Sequence, residues 1–465
     1  MMSACSMPSV NTGQGVRATQ RTNALMRPIS IGSAATRLPY RAGLTQKGPL
    51  GRTCRFAALL LSAMAGVFSR LVGQDAVEKE LIAAARAARG DSSHSEAVTG
   101  TMTHAWLITG PPGSGRSVAA LCFAAALQCT AEGTPGCGEC RACTTAMAGT
   151  HADVRRIIPE GLSIGVGEMR AIVQIASRRP GTGRWQVVVI EDADRLTEGA
   201  ANALLKVVEE PPPSTVFLLC APSVDPEDIA ITLRSRCRHV ALVTPRAEAI
   251  AQVLIDSDAL DRETAEWAAS VSGGHVGRAR RLATDEQARE RRKRALGLAR
   301  DAATPARAYA AAEELVATAE AEAKALTGDR NEAEAEELRT ALGAGGTGKG
   351  TAGAVRGAAG ALKDLEKRQK SRQTRASRDA MDRALIDLAT YFRDALLVSS
   401  GATGVAANHP DMADKVTALA AHASPDKLLR CIEAVLECRE ALAANVKPKF
   451  AVDAMVATVG QALRS

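Results

Sequence analysis

One stretch constrains the fold more than any other: His104-Ala-Trp-Leu-Ile-Thr109, then Gly110-Pro-Pro-Gly-Ser-Gly-Arg-Ser117, then the apolar run Val118–Gln128. An apolar strand, a glycine loop and a helical segment in that order predict a parallel strand that delivers its loop to a helix N-terminus. The pattern of a phosphate-binding loop, G-x-x-x-x-G-K-[ST], is met at Gly110, Gly115 and Ser117 and broken at Arg116, where it demands lysine. Gly110, Gly113, Gly115 and Ser117 keep the cradle of backbone N–H groups. Arg116 keeps a positive charge on a longer, planar group, which is not an equivalent substitution. The plainer reading of the same residues is a retained turn that holds no nucleotide.

A second buried strand is predicted at Gln186–Ile190, ending in Glu191-Asp192-Ala193-Asp194, and a third at Thr215–Cys220. Between them a helix over Ala200–Glu210 is stopped by Pro211-Pro-Pro213. Strands alternating with helices over 68–240 imply an α/β fold, a parallel sheet with helices on both faces. From about 241 the strand signal fades. Residues 241–297 read as a small helical lid with a turn at Ser272-Gly-Gly-His275, and 298–465 as a separate all-α domain. That domain carries an insert at 321–378, first acidic, then glycine-rich, then basic, which predicts solvated helices around a flexible hinge. Inside it Gly343-Ala-Gly-Gly-Thr-Gly-Lys-Gly350 imitates a phosphate loop and even has Lys349, but no strand precedes it and Gly350 replaces the Ser/Thr. It reads as a linker.

Charge needs care. The chain of 465 residues carries a formal +7, yet residues 1–63 hold eight basic residues and no acid. Removing those eight from 58 leaves 50 basic against 51 acidic residues, so the folded part is near neutral and its balance is no argument for binding DNA. The leader 1–63 is expected to be disordered. It reads either as upstream reading frame, with the protein starting at Met64, or as a signal peptide with Ala63-Met64-Ala65 at the cleavage site. No run is long and apolar enough for a membrane span.

Four of the 11 cysteines crowd together: Cys129, Cys137, Cys140 and Cys143, spaced C-x7-C-x2-C-x2-C. Two C-x2-C steps with a fourth thiolate from a preceding helix suit one tetrahedral zinc ion in a closed, structural site. Four reduced thiols are the alternative, and His151 reads as a loop residue rather than a ligand. The odd total without a regular framework argues for a reducing compartment, the cytoplasm.

Taken in order, "GPPGSGRS", the cysteine module, "IEDADRLTEGAANALLKVVEEPP" (190–212), "RSRC" (234–237) and "NVKPKFAVDAMV" (445–456) resemble the bacterial clamp-loader AAA+ subunits. The likeness covers about 68–300 and the last few dozen residues; the 321–378 insert lies outside it. It implies an AAA+ module of α/β domain and helical lid followed by a helical collar domain. Its implied partners are ATPase subunits and a clamp-opening subunit in a hetero-pentamer, with the sliding clamp and primed DNA reached through the complex. The family's ATPases have Asp-Glu after the second strand where this chain has Glu191-Asp192, and a polar sensor after the third where it has Cys220-Ala-Pro222. With Arg116 these are three departures in one pocket, so ATP and Mg²⁺ are doubtful on this chain and hydrolysis is not expected. Arg236 matches the family's arginine finger, which acts in the neighbouring subunit's site; the bland reading is a local ion pair. The rival function is an ATP-hydrolysing motor subunit of the same loader. A branch-migration motor would leave the cysteine module unexplained.

Overall fold

The computed structural model describes residues 66–90, 102–342, 351–402 and 404–464. The leader 1–63 and the loop-like decoy 343–350 lie outside the described residues. A helix α1 (Asp75–Arg89) precedes strand β1 (Ala105–Thr109), which runs through the glycine loop into α2 (Arg116–Gln128). Then come α3 (Arg141–Met147), β2 (Val154–Ile157), α4 (Val166–Ala176), β3 (Gln186–Ile190), α5 (Glu198–Glu209), β4 (Thr215–Ala221), the short α6 (Ile231–Arg234) and β5 (Arg238–Ala241). The five strands form one parallel sheet in the order β2-β3-β4-β1-β5.

Strand periodicity divides the core into two layers. Trp106 and Ile108, Val187 and Val189, Leu218 and Cys220 face α1 and α2, while Leu107, Val188 and Ile190, Phe217 and Leu219 face α4 and α5. Because both faces are covered, β1, β3 and β4 are buried at every position. Helix α2 is buried from Ala119 to Gln128, which is why its sequence is apolar all round. Phe123 meets Trp106 edge-to-face at 4.9 Å. Helix α5 starts where the Thr197 hydroxyl accepts the Ala200 N–H at 3.3 Å, the usual N-cap arrangement.

Two strands were not foreseen, and both lie at the sheet edges. Val154-Arg-Arg-Ile157 and Arg238-His-Val-Ala241 are four residues each, with charged or polar side chains on the solvent side. Short, charged edges resist pairing with other chains, and for the same reason they lack an apolar signature.

After the sheet, α7 (Ala247–Asp258), α8 (Arg262–Ser270) and α9 (Val276–Thr284) enclose a small core of Ile250, Leu254, Ala265, Ala268 and Leu282. The boundary expected at 297/298 falls inside one helix, α10 (Glu286–Ala302). Ala288 near its start belongs to the lid core, whereas Leu296, Leu298, Ala299 and Ala302 belong to the next. This single helix carries one core into the other.

The C-terminal region contains α11 (Pro305–Ala341), α12 (Thr351–Ser399), α13 (Ala413–His422), α14 (Pro425–Ala443) and α15 (Pro448–Arg464). Their core is built around Met381, Leu385, Phe392, Leu428, Val435, Val452 and Val456. The contacts Glu322–Arg383 (2.9 Å) and Glu334–Arg372 (3.0 Å) run in opposite senses along α11 and α12, so the two form an antiparallel hairpin. The two described arms of the 321–378 insert are thus continuous helices packed on each other. Its basic arm is also not simply a solvated face: Arg372 and Arg375 are spent on carboxylates, as described below. Among the described residues no helix is long and apolar enough to cross a membrane.

Candidate functional site

The glycine loop lies where β1 meets α2. Gly113 and Gly115 take the positive φ values +89° and +96°, a region that favours glycine, and a side chain on Gly113 would collide with His275 of the lid. Gly110 N–H donates to the Pro222 carbonyl at 3.2 Å, tying the loop to the end of β4. Gly113, Gly115, Arg116 and Ser117 line a cleft of about 1120 Å³, with Arg70 on the N-terminal side and His275, Gly277 and Arg280 on the lid side. The three lid residues and Arg70 were not singled out from sequence; only the turn leading to His275 hinted at them. Burial pushes His275 down, helped by Arg278, Arg383 and Arg116, so the ring is neutral near pH 7 and its Nδ1 accepts the Arg278 N–H at 3.2 Å. The cradle keeps its shape, yet two buried polar atoms in it, Ser114 Oγ and Arg116 Nη1, have no hydrogen-bond partner among the described residues.

Glu191 and Asp192 follow β3 but neither lines this cleft. Arg156 of β2 binds Glu191, and Arg375 of α12 binds Asp192, with Arg195 a further 4.0 Å contact on Asp192. The loop and the carboxylate pair therefore lie on one sheet, but protein guanidinium groups already neutralise the pair. At the end of β4 the residue after Pro222, Ser223, donates its hydroxyl to Asp228 at 2.7 Å.

The four cysteines converge. Cys129 ends α2, Cys140 caps α3, and all four sulfurs lie within 4.8 Å of one another. Cys129 Sγ and Cys140 Sγ are 3.9 Å apart, close to the roughly 3.8 Å edge of a tetrahedron with 2.3 Å metal–sulfur bonds. Backbone N–H groups point at the sulfurs: Cys140 N to Cys137 Sγ at 3.3 Å and Cys143 N to Cys140 Sγ at 3.5 Å. Burial pushes the thiols up, and for Cys143 it prevails; for Cys140 the N–H groups of Cys143 and Thr130 outweigh it and hold the thiol at about 6. Four sulfurs this close favour a divalent cation among them, and this donor set could hold a metal ion in the manner of zinc. Arg89 braces the approach by donating to the carbonyls of Cys129, Ala131 and Gly133 at 2.9, 3.1 and 3.2 Å, a role its sequence context did not reveal. His151 stays outside the cluster and accepts the Asp153 N–H at 3.1 Å.

Arg236 sits just after α6. Its Nη2 contacts Glu209 at 2.7 Å and its Nη1 the Thr232 carbonyl at 3.0 Å; the arginine and glutamate side chains are 39% and 42% exposed. Arg234, two residues earlier, is held on the Val224 carbonyl at 3.0 Å.

The family described as DNA polymerase III, delta subunit, matches residues 91–246, and its C-terminal counterpart matches 376–449. The chain is 38% identical over 186 residues to DNA polymerase III subunit delta' of Pseudomonas aeruginosa, covering 38% of this chain and 55% of that one. It is 38% identical over 165 residues to the Escherichia coli subunit delta', covering 34% and 49%. For the Bacillus subtilis subunit delta' the figures are 32% over 157 residues, 34% and 47%. The chain thus spans about half the length of the curated relatives it matches. Over its α/β region the chain is similar to the DNA polymerase III subunits delta', and over part of its C-terminal helices it matches the C-terminal model of the delta subunit.

Proposed function

We propose that this chain is a stator subunit of a DNA polymerase III clamp loader, helping to place the sliding clamp on primed DNA without hydrolysing ATP itself. One observation carries the reading: the glycine cradle survives while Glu191 and Asp192, the groups that would hold Mg²⁺ and polarise water, are each bound to an arginine of the same chain. Positioning is most of phosphoryl-transfer catalysis, so a cradle without free carboxylates is a fold and not an engine. Its partners in this reading are ATPase subunits and a clamp-opening subunit in a hetero-pentamer, and its setting is the cytoplasm, consistent with free thiols among the described cysteines.

Arg236 is the group proposed to act next door. Its pair with Glu209 is exposed on both sides, and such pairs are worth at most about 1 kcal/mol, so the guanidinium is readily transferred to a partner's γ-phosphate. We assign structural zinc to Cys129, Cys137, Cys140 and Cys143; four thiolates leave no open position, so the ion contributes folding energy and no chemistry.

The test is a loader reconstituted with and without this chain, together with an ATP titration of the chain alone. Loading that requires the chain, and no turnover by the chain itself, are expected. Turnover by the isolated chain that disappears in Asp192→Ala would favour the second reading, a motor subunit. That reading draws on a Bacillus subtilis DNA polymerase III subunit tau relative, 34% identical over 165 residues and covering 35% of this chain and 29% of that one.

A further inference from the structure

The α11–α12 hairpin contains the 321–378 insert, most of which lies outside the matched regions, and its basic arm makes a set of contacts on the α/β domain that share one helix face. Ser371, Arg372, Arg375 and Asp379 are spaced i, i+1, i+4 and i+8 along α12, which brings them to one side. Arg375 Nη1 donates to the Pro159 carbonyl and Nη2 to Asp192. Arg372 reaches Glu160 at 3.0 Å while also holding Glu334 of α11 at 3.0 Å. Asp379 receives Arg195 at 3.4 Å. Between these pairs the approach is so close that a Cβ on Gly161 would lie 2.7 Å from Ser371 Oγ. Backbone, hydroxyl and ion-pair contacts therefore converge where the loop after β2 meets the end of β3. The pair at the centre is largely sheltered, with 16% exposure for the Arg375 side chain and 23% for Asp192.

The charges around this point compensate locally. Glu191 has Arg156, Asp192 has Arg375 and Arg195, Glu160 has Arg372 and Arg330, and Asp379 has Arg195 and Arg375. Asp194, close by, is raised by burial and by the charge of Asp192, with Arg195 and Arg116 opposing. A divalent cation would have to displace a guanidinium that is itself fixed by a backbone carbonyl.

We infer that the hairpin is an intramolecular clasp in which Arg375 serves as a built-in counter-cation on Asp192, fastening the end of β3 to the C-terminal helices and closing that carboxylate to metal ions. The inference stands on contacts within the chain and does not depend on the clamp-loader reading. The insert thereby adds a close guanidinium to a carboxylate that Arg195 of its own domain reaches only at 4.0 Å.

Hydrogen–deuterium exchange on the full chain tests the clasp. Arg375→Ala should raise exchange at least ten-fold in peptides covering 159–165 and 369–379. Asp192→Asn should do so to a lesser extent, and the double variant should exchange no faster than Arg375→Ala alone, because Arg375→Ala already removes the Asp192 contact along with that to the Pro159 carbonyl. Gly161→Val, which wedges Ser371 away, should give a similar pattern without touching any charge. Arg368→Ala, exposed on the same helix, should leave exchange unchanged. Mn²⁺ alone, followed by its EPR signal, should bind Arg375→Ala at a site absent from the wild type and absent from the Arg375→Ala/Asp192→Asn double variant. Unchanged protection in both Arg375→Ala and Gly161→Val would overturn the clasp. Additive effects of Arg375→Ala and Asp192→Asn, or an Arg375→Ala protein that gains no Mn²⁺ site, would overturn the counter-cation role.

Discussion

Helix α2 has two ends of opposite character. At its N-terminus the glycine loop is complete in shape, but Ser114 Oγ and Arg116 Nη1 are buried without partners among the described residues, and the β3 carboxylates are engaged elsewhere. At its C-terminus most polar groups are paired, the buried Arg89 Nε excepted. Cys129 joins three other sulfurs, and Gln128 accepts the Arg184 N–H at 3.1 Å and donates to the Trp185 carbonyl. Beside it Asp153 accepts the N–H groups of Gly181, Thr182 and Gly183. Buried polar groups in folded proteins are nearly always satisfied, so the contrast separates an end whose polar groups are mostly paired within the chain from one that leaves two of them open.

The largest effect should come from the C-terminal end. If the cysteine cluster holds zinc, freshly purified protein contains one zinc per chain, and Cys129→Ser or prolonged chelation lowers the thermal midpoint by about 10 °C or more, with lost protection in 129–150. Elemental analysis without stoichiometric metal, or a midpoint indifferent to chelator, would put both ends of α2 on the same footing.

If the N-terminal end has no chemistry of its own, the chain acts by what it presents to a neighbour. Arg236→Ala should assemble into a reconstituted loader yet reduce clamp-stimulated ATPase and clamp loading. A finger typically carries about 10³–10⁵ in rate at the site it serves, and the total loss is partial because other sites keep their own. Arg234→Ala should do much less. A wild-type rate for the Arg236→Ala loader would reduce Arg236 to the partner of Glu209.

A smaller, pH-dependent effect belongs to Asp153. Burial pushes its carboxyl up, but hydrogen bonds from Gly181, Thr182 and Gly183 outweigh it and hold the group at about 2, below the ordinary 3.8. A folded-state value below the unfolded one means stabilisation that is complete above about pH 4 and is lost as pH falls towards 2, on the order of 2 kcal/mol. Asp153→Asn should remove that amount at neutral pH and flatten the urea midpoint between pH 4 and pH 2. An unchanged slope would show that the 181–183 turn does not depend on the charge.

These contrasts were unequally legible in the sequence. The strand, loop and helix around Gly110–Ser117 could be read because a buried strand and a buried helix leave long apolar runs, and the cysteines because their spacing is itself the geometry of a tetrahedral site. The edge strands Val154–Ile157 and Arg238–Ala241 could not, since they are half polar and too short to show a period. The lid boundary was missed because α10 belongs to two cores and its amphipathic pattern does not break between them. Arg375 and Asp192 are far apart in the chain, and a basic run gives no sign of which carboxylate it will meet. Sequence placed Glu191 and Asp192 at the end of a strand; only the fold shows that arginines already hold them.

The smallest expected effect is the sharpest test of the N-terminal end. Arg116→Lys restores the residue that the loop pattern demands, and if one side chain were all that separated this chain from an ATPase, turnover should appear. Lysine would bring a compact charge to the cradle. It would not release Glu191 from Arg156 or Asp192 from Arg375, nor put a polar sensor at Pro222. Catalysis needs these groups together within a fraction of an ångström, so repairing one of three leaves the rate at background. Phosphate release by Arg116→Lys, measured alone and with clamp and DNA, should therefore match the wild type. A rise above background that Asp192→Ala abolishes would mean that the carboxylates remain available after all, and that Arg116 alone keeps the two ends of α2 different.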